Sequence, residues 1–541
     1  MSIRQIPFIF LFLFIISFQT LYAQVAGQNE QSEFSISLRS VEIMDMNPIH
    51  SFAYATHEDC ILIVGGRIDG LHARQPFNAF PLAFNNKELI VANPISKEVW
   101  TSTLELLPAS LQEQLQSTNM NFHQVADTLY IMGGYAFSES YNDHITFPYL
   151  TTIIVSELVE SIKSGTMNPT NIKQTSDARF ANTGGQMGWL DEKLIVVGGN
   201  TFMGRYNPMG NPTYTQVYLP HIQYFKINNS GEQPEITLYD KVTNEAHLRR
   251  RDYNLVPYIF TDGEPGYLLS AGVFRPDALL PFLYPVEISA SGYTPKEDVE
   301  QLLSHYHSPK LSLLDEYGDL HMIFFGGLAQ FYYENEVIVQ DNNVPFVSTI
   351  SRFTRTQNGE FSEHVLPNTM PGLKGTNAEF IPNKNLPTNQ TGVFFIDEFQ
   401  DSNEHLLGYI IGGINTPERN PFTNNNTQFT SASSSVYEVV FGKATNTSIP
   451  IEKPQEIRLN QNYPNPFNPT TQLSFYLHES SFVTVDIFNL IGSHIQTIVQ
   501  DNLSQGLHSF TFDGSNLATG MYIYRLRTPE TIRSKKMILV K

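Results

Sequence analysis

The chain has 541 residues, 41% of them hydrophobic and only 16% charged. That length exceeds one typical domain, and the apolar content suffices for large cores and excludes a disordered polymer. The formal charge of −20 excludes nucleic acid and anionic membrane as general partners, because phosphate binding needs clustered Lys and Arg. The single cysteine, Cys60, excludes an intrachain disulfide framework.

The chain begins "MSIRQIPFIFLFLFIISFQTLYAQ", with one positive charge at Arg4, an apolar core over 6–18 and "LYA" before Gln24. This predicts a secretory signal peptide over 1–23, cleaved after Ala23. Its apolar core is shorter than a membrane-spanning helix needs. No comparable run follows, so no transmembrane segment is expected in the mature chain.

From residue 34 to about 445 a repeat emerges: an aliphatic run ending in two small residues. It reads "ILIVGG" (61–66), "LYIMGG" (129–134), "LIVVGG" (194–199), "YLLSAG" (267–272), "MIFFGG" (322–327) and "GYIIGG" (408–413), at spacings of 68, 65, 73, 55 and 86 residues. Each run is too short for a helix and rich in strand formers, so each predicts a buried strand. The paired glycines (Gly65 and Gly66, Gly133 and Gly134, Gly198 and Gly199, Gly272, Gly326 and Gly327, Gly412 and Gly413) permit positive φ and close backbone approach. A candidate strand precedes each run, as in "HSFAYATH" (50–57). After the glycines come a long loop and another strand, as in "ELIVANP" (88–94), "LTTIIVSEL" (150–158) and "SSVYEVVF" (434–441). The unit is therefore an antiparallel sheet of about four strands, a propeller blade, and six units predict a six-bladed β-propeller over 24–445. The last unit runs out of sequence near Phe441, while "FSISLRSVEI" (34–43) is an orphan strand, expected to complete the last blade.

The strand-plus-diglycine units resemble kelch-type β-propellers over about 34–445. The chain departs from that family in holding only two tryptophans, Trp100 and Trp189, and in having Ala271 where the fourth unit should carry a glycine. Fold follows from this resemblance; function does not, since propellers host unrelated activities.

Long loops between the second and third strands, at 67–87, 135–149, 200–220, 273–281, 328–346 and 414–433, are expected on one face, where a rigid scaffold presents a binding surface. They supply the ligand-binding candidates Arg67, Asp69, His72, Arg74, Tyr135, Tyr141, His144, Arg205, Tyr206, Arg275, Tyr332 and Arg419. Aromatic faces mixed with Arg and Asp suit a glycan or a peptide; equally, such residues decorate ordinary ordered loops. "LRRRDY" (248–253) is the only dense basic cluster. Its Arg251 is a further candidate for holding a carboxylate or sulfate, against a structural role neutralising nearby acids. "HYH" (305–307) is expected to put two histidines on one side of a strand, but no third ligand is fixed by spacing and no metal is expected. Some kelch-type propellers are copper oxidases with a Cys–Tyr crosslink; Cys60 lacks an identifiable Tyr and His set, so it reads as a small buried residue. No cofactor is expected. There is no G-x-S-x-G, phosphate loop or H-E-x-x-H.

After Asn446 the composition shifts to an extended linker over 446–471, containing "LNQNYPNPFNPTT" from Leu459. Alternating strands follow over 472–477, 482–492, 506–514, 520–528 and 534–541, which predicts a small Ig-like β-sandwich over 472–541. "QNYPNPFNPTT", "VDIFNLIG", the "FDG" turn, "GMYIYRL" and "KKMILVK" closely resemble the type A C-terminal sorting domain of the type IX secretion system of Gram-negative bacteria. That resemblance implies export across the outer membrane and the secretion machinery as a partner, with the cargo secreted or held at the cell surface. The expected function is binding, of a glycan, peptide or surface partner by the propeller loops. The alternative is an extracellular propeller enzyme acting on carbohydrate, such as sialic-acid-related or polysaccharide fragments.

Overall fold

The computed structural model describes residues 34–541 apart from 76–77, 208–212, 277, 336, 400–401, 443–448, 451–456, 479 and 505. The expected signal peptide over 1–23 lies outside the described residues. So does most of the first half of the expected linker.

The chain is all-β. Between residues 35 and 442 it forms six sheets in succession, each built on four antiparallel strands, the fifth extended to six by a further strand at either edge. Their first strands are Ala53–His57, Asn121–Val125, Gln186–Leu190, Asn254–Ile259, Lys310–Leu314 and Ala378–Pro382. Each run before a glycine pair is the second strand, and Cys60–Val64 and Leu320–Phe325 are buried at every position, as a strand covered on both faces should be. The sixth sheet has its third strand at Val436–Gly442, which pairs antiparallel with Ser35–Val41 in the register Ser35 to Gly442 and Val41 to Val436.

The glycine pairs share one backbone geometry. Gly65 and Gly66 have φ of 68° and 87°, Gly133 and Gly134 70° and 93°, and Gly412 and Gly413 72° and 92°; Ala271 adopts the same left-handed region at 59°. A Cβ on Gly133 would sit 1.9 Å from the Asn182 carbonyl oxygen. The second glycine reaches the next sheet: its N–H donates from Gly66 to Ser117, Gly134 to Asn182, Gly199 to Arg250 and Gly327 to Lys374, and Gly413 donates to Ile49 at 2.9 Å, joining the sixth sheet to the first. A second set of left-handed residues lies just before the first strands: Ser51, Asn119, Gly184, Asp252, His307 and Asn377, with φ from 42° to 69°. Asn119 donates to Ser51, Gly184 to Asn119, Asp252 to Gly184, Asn377 to His307, and Ser51 to Asn377 at 3.0 Å.

Four features depart from the sequence reading. The run 150–158 is not all strand: Tyr149–Ile154 is strand and Val155–Lys163 is helix. Val155, Leu158, Val159 and Ile162 recur at helical spacing and are buried against the first two sheets. The loops 135–149 and 200–220 build a sheet of their own, in which Tyr135–Ser138, Asp143–Thr146, Asn200–Gly204 and Tyr214–Tyr218 join through Met203 opposite Ile145. The widest repeat spacing reflects an insertion after Pro382. There Val393–Phe395 adds in parallel to Lys310–Leu314, and Asn389 accepts the N–H groups of Thr391, Gly392 and Val393 through its side chain.

The fourth departure concerns the tail. Ile457, Leu459 and Phe467, placed in the expected linker, are buried with Leu473, Phe475, Val485, Tyr524 and Leu539 in one apolar cluster, and Arg458–Leu459 pairs with Thr470–Leu477. Two sheets share that cluster, one of three strands and one of four. The four-stranded sheet includes His494–Leu503, whose polar outward residues hid it. Asn462 holds the entry loop, donating to Pro464 O and Thr471 Oγ1 at 3.1 and 3.0 Å, while Phe467 N–H donates to Ile538 O at 2.8 Å.

A candidate ligand cavity lined by all six sheets

The loop-face candidates are largely engaged with one another. Arg67 is buried, grips Asp69 with two hydrogen bonds of 2.8 and 2.5 Å, donates to Asn85 and lies 5.3 Å from the Phe80 ring centre. Burial pushes the Asp69 carboxyl up, but His50 and Arg67 outweigh it and hold it below its ordinary value. His72 sits among Phe80, Tyr206 and Phe422 at 5.1–5.4 Å, and burial pushes it down to about 4. Arg74 donates to the carbonyls of Phe422 and Thr423. Tyr135 donates to Gly204 O and accepts from Tyr206 N–H, and the His144 ring meets Phe80 O at 2.9 Å. Arg419 stacks 4.3 Å from the Tyr332 ring centre and pairs with Glu334. The backbone of Arg205 accepts from Thr213, and that of Arg275 donates to Leu280. Tyr141 is the outlier, 57% exposed. These contacts join the loops 67–87, 135–149, 200–220 and 414–433 to one another, and Arg419 reaches the loop 328–346 through Tyr332.

The basic cluster is structural in a way the sequence did not show. Arg250 is fully buried and donates to three backbone carbonyls, of His247, Ala271 and Tyr284, with Phe282 stacked 4.0 Å away. It meets carbonyl oxygens rather than acids, and burial pushes its guanidinium down to about 10. Arg251 lies among Phe202, Tyr218 and Phe274, 3.7 Å from Asp252. Burial disfavours its charge, but Asp252 and the tyrosines outweigh it and raise its pKa. His305 and His307 lie before the strand Lys310–Leu314, not within it: His305 is buried, while His307 faces a cavity. Cys60 is buried among Leu62, Leu158 and Val159.

That cavity has a volume of about 340 Å³, and all six first strands contribute to its wall: Tyr54, Phe122, Gln186, Leu255, Lys310 and Glu379 come one from each. Glu379 lies 3.9 Å from His307 Nε2. Tyr54 donates to Phe380 O at 2.9 Å, and burial first, then Glu379, raises its pKa. Burial pushes His123 down to about 4, helped by Lys384. Lys384 donates to Gln124 Oε1 at 3.0 Å. The lining residues that are exposed to solvent, Lys384, Thr388 and Gln390, all belong to the insertion after Pro382. The mouth is therefore at the end of the strands opposite the long loops. Of these wall residues only His307 stands in a segment the sequence singles out for its chemistry, "HYH" (305–307); single polar residues on separate strands leave no local signature.

Among the described residues no group of three or more His, Cys, Asp or Glu is placed to hold a metal, and no helix is long and apolar enough to cross a membrane.

Residues 461–541 match the family profile described as "Secretion system C-terminal sorting domain". The chain carries a sorting tail. Such a tail marks a secreted protein directed to type IX secretion, with the secretion machinery as a partner. No curated protein sequence matches the chain. Among solved structures it is similar to YjhT, at 12% identity and a TM-score of 0.40, covering 73% of this chain and 97% of that one. A second is PorZ, an essential bacterial surface component of the type-IX secretion system of Porphyromonas gingivalis, at 8% identity, TM-score 0.15, 93% and 100% coverage. A third is a glycoside hydrolase family 43 arabinoxylan arabinofuranohydrolase from Bacillus subtilis, at 11% identity, TM-score 0.21, 79% and 96% coverage. All three TM-scores lie below 0.5, so the architecture rests on the strand pairing of this chain alone.

Proposed function

We propose that this is an exported binding protein, a six-bladed kelch-like propeller that holds a small polar ligand in its central cavity and is delivered to the surface or surroundings of a Gram-negative cell by its Ig-like sorting tail. The six meander sheets, the glycine N–H bonds from each sheet to the next and the strand Ser35–Val41 on the last sheet support a closed ring. The observation that carries the binding reading is the single cavity walled by all six first strands, with polar and aromatic groups interleaved. Its size falls at the small end of ligand pockets, which run from about 300 to 1,000 Å³. The loop roof, with Tyr141 exposed, is a second surface on which a peptide or glycan would dock.

The test is a glycan, amino-acid and organic-acid array on the mature secreted protein, scored by thermal shift and calorimetry. Binding lost on Phe122→Ala or Tyr54→Phe supports the cavity; binding unaffected by both, but lost on Tyr141→Ala, moves the site to the loops. Deleting 459–541 should strand the protein in the periplasm, and continued secretion would refute the export reading. One observation favours catalysis as a second reading: Glu379 and His307 form a potential acid–base couple at the wall. Turnover of any array carbohydrate, abolished by Glu379→Gln, would establish it over simple binding.

A further inference from the structure

The cavity departs from the character of the chain around it. In a protein of formal charge −20, its charged lining is two lysines, Lys310 and Lys384, against one acid, Glu379. The two lysines differ in what they do. Lys384 sits at the exposed mouth and donates to Gln124 and, at 3.5 Å, to Thr56 O. Lys310 begins its strand at the end away from the mouth, so it lies at the inner end of the cavity. Its ammonium makes no hydrogen bond or ion pair with a described residue; Glu379 acts on it only at longer range. Glu379 is instead turned to His307.

Lys310 is half-buried, and an ammonium partly removed from water without a hydrogen-bonding partner is costly; proteins retain one where a counter-charge completes it. Burial pushes Lys310 below its ordinary value, with Glu379 opposing. The rest of the wall limits what the counter-charge is attached to. Phe52, Phe122 and Phe380 line the cavity with the Tyr54 ring, which meets Phe122 edge-on at 5.2 Å. Asn389 Nδ2 and Thr56 Oγ1 are lining residues' polar atoms without a partner among the described residues. An inorganic anion would leave the aromatic wall without a partner, and a neutral sugar would leave the lysine without one.

We infer that the cavity takes a compact carboxylate-bearing molecule of sugar-acid size, its carboxylate on the Lys310 ammonium and its body against the aromatic wall. This rests on the reading of the cavity as the binding site, and the test separates the two. The probes are D-glucuronate, D-glucose and inorganic phosphate, titrated into the full mature protein by calorimetry and thermal shift. Glucuronate is expected to bind at least tenfold more tightly than glucose, and phosphate to bind weakly. Lys310→Met should lower glucuronate affinity at least tenfold while leaving the ligand-free melting temperature equal or higher, because a half-buried charge without a hydrogen-bonding partner is gone. Lys310→Gln serves as a second variant should the methionine disturb the wall. Lys384→Met should lower the affinity no more than about threefold, since that charge is solvated. Equal binding of glucose and glucuronate, or glucuronate binding that survives both Lys310 variants yet is blocked by Thr388→Trp with Gln390→Trp at the mouth, overturns the anion assignment alone. Glucuronate binding that survives all of these variants overturns the cavity reading as well. Absence of binding by every probe overturns the assignment to sugar acids.

Discussion

A methyl group on Gly134 would sit 2.1 Å from Ser117 Oγ and 2.6 Å from Met120 Cγ, in a backbone with φ of 93°. Gly165 also has positive φ, 71°, yet a methyl there would meet nothing within 4 Å. Both substitutions by alanine incur the left-handed strain of about 1–2 kcal/mol, and only Gly134→Ala adds overpacking of about 1–3 kcal/mol. Denaturant unfolding should therefore show a clearly larger loss for Gly134→Ala; equal losses would mean the pair is kept for φ alone. This is why the glycine pairs are legible in the sequence: a backbone requirement has one best residue, and the pair recurs in five of the six units, Ala271 taking the left-handed position in the fourth. Lys310 and Glu379 were not legible, because a charge at the start of a strand has no partner that spacing can fix. His305 gives the residue scale a pH dependence. Burial lowers its pKa to about 4 against an ordinary 6.5, so the fold holds it neutral. The stability it contributes is full above pH 6.5 and is lost as pH falls from 6.5 through 4, by about 3 kcal/mol at most. His123, also lowered to about 4, acts in the same direction. His305→Phe should flatten the fall in melting temperature between pH 6.5 and 4; an unchanged slope would remove His305 as its source.

At the scale of elements, the strand Ser35–Val41 decides whether the first and last repeats hold together. Its Ile36, with Phe34 just before it, is buried beside Phe441 and Leu407 in a cluster that also contains Leu313 and Phe325 of the fifth sheet. Ile36→Ala should cost about 2–5 kcal/mol, read by calorimetry as a lowered transition of the large unit. No change on removing residues 34–41 altogether would show that the large unit does not depend on them. This strand could be inferred because its partner was missing from the repeat count. The insertion after Pro382 could not: "NKNLPTNQTG" has no periodicity, and its short parallel strand is specified by Asn389 turning the backbone and by Thr391 reaching Tyr258 O. The helix Val155–Lys163 was missed for the opposite reason. Its apolar positions begin inside a β-branched run that reads as strand until the spacing of Leu158, Val159 and Ile162 is weighed. The sorting motif is legible as a motif but not as packed structure, since a proline-rich stretch without alternation gives no hint that Phe467 is 1% exposed.

Across the whole molecule the two units keep separate cores. The apolar cluster of the tail contains residues from 457 to 539 only, and the clusters of the large unit contain none of them. Where the two approach, around Gln340–Asn343 on one side and Arg458, Asn460, Tyr463 and Lys535 on the other, the space of about 670 Å³ is lined mainly by polar residues. Interfaces of that kind couple domains weakly, so heating the mature protein should produce two transitions. Phe467→Ala separates them. Removing a ring packed 5.9 Å from Phe512 costs about 3–5 kcal/mol, and in a unit of about 80 residues each kcal/mol moves the midpoint by roughly 4–8 °C. The tail transition should fall by tens of degrees or vanish, while the transition of the large unit stays in place and glucuronate still raises it. A single transition that shifts as one would show that the cores are coupled through the polar seam. The separation also has a consequence for export: a tail that unfolds or is recognised alone leaves the cavity walled by the six first strands intact.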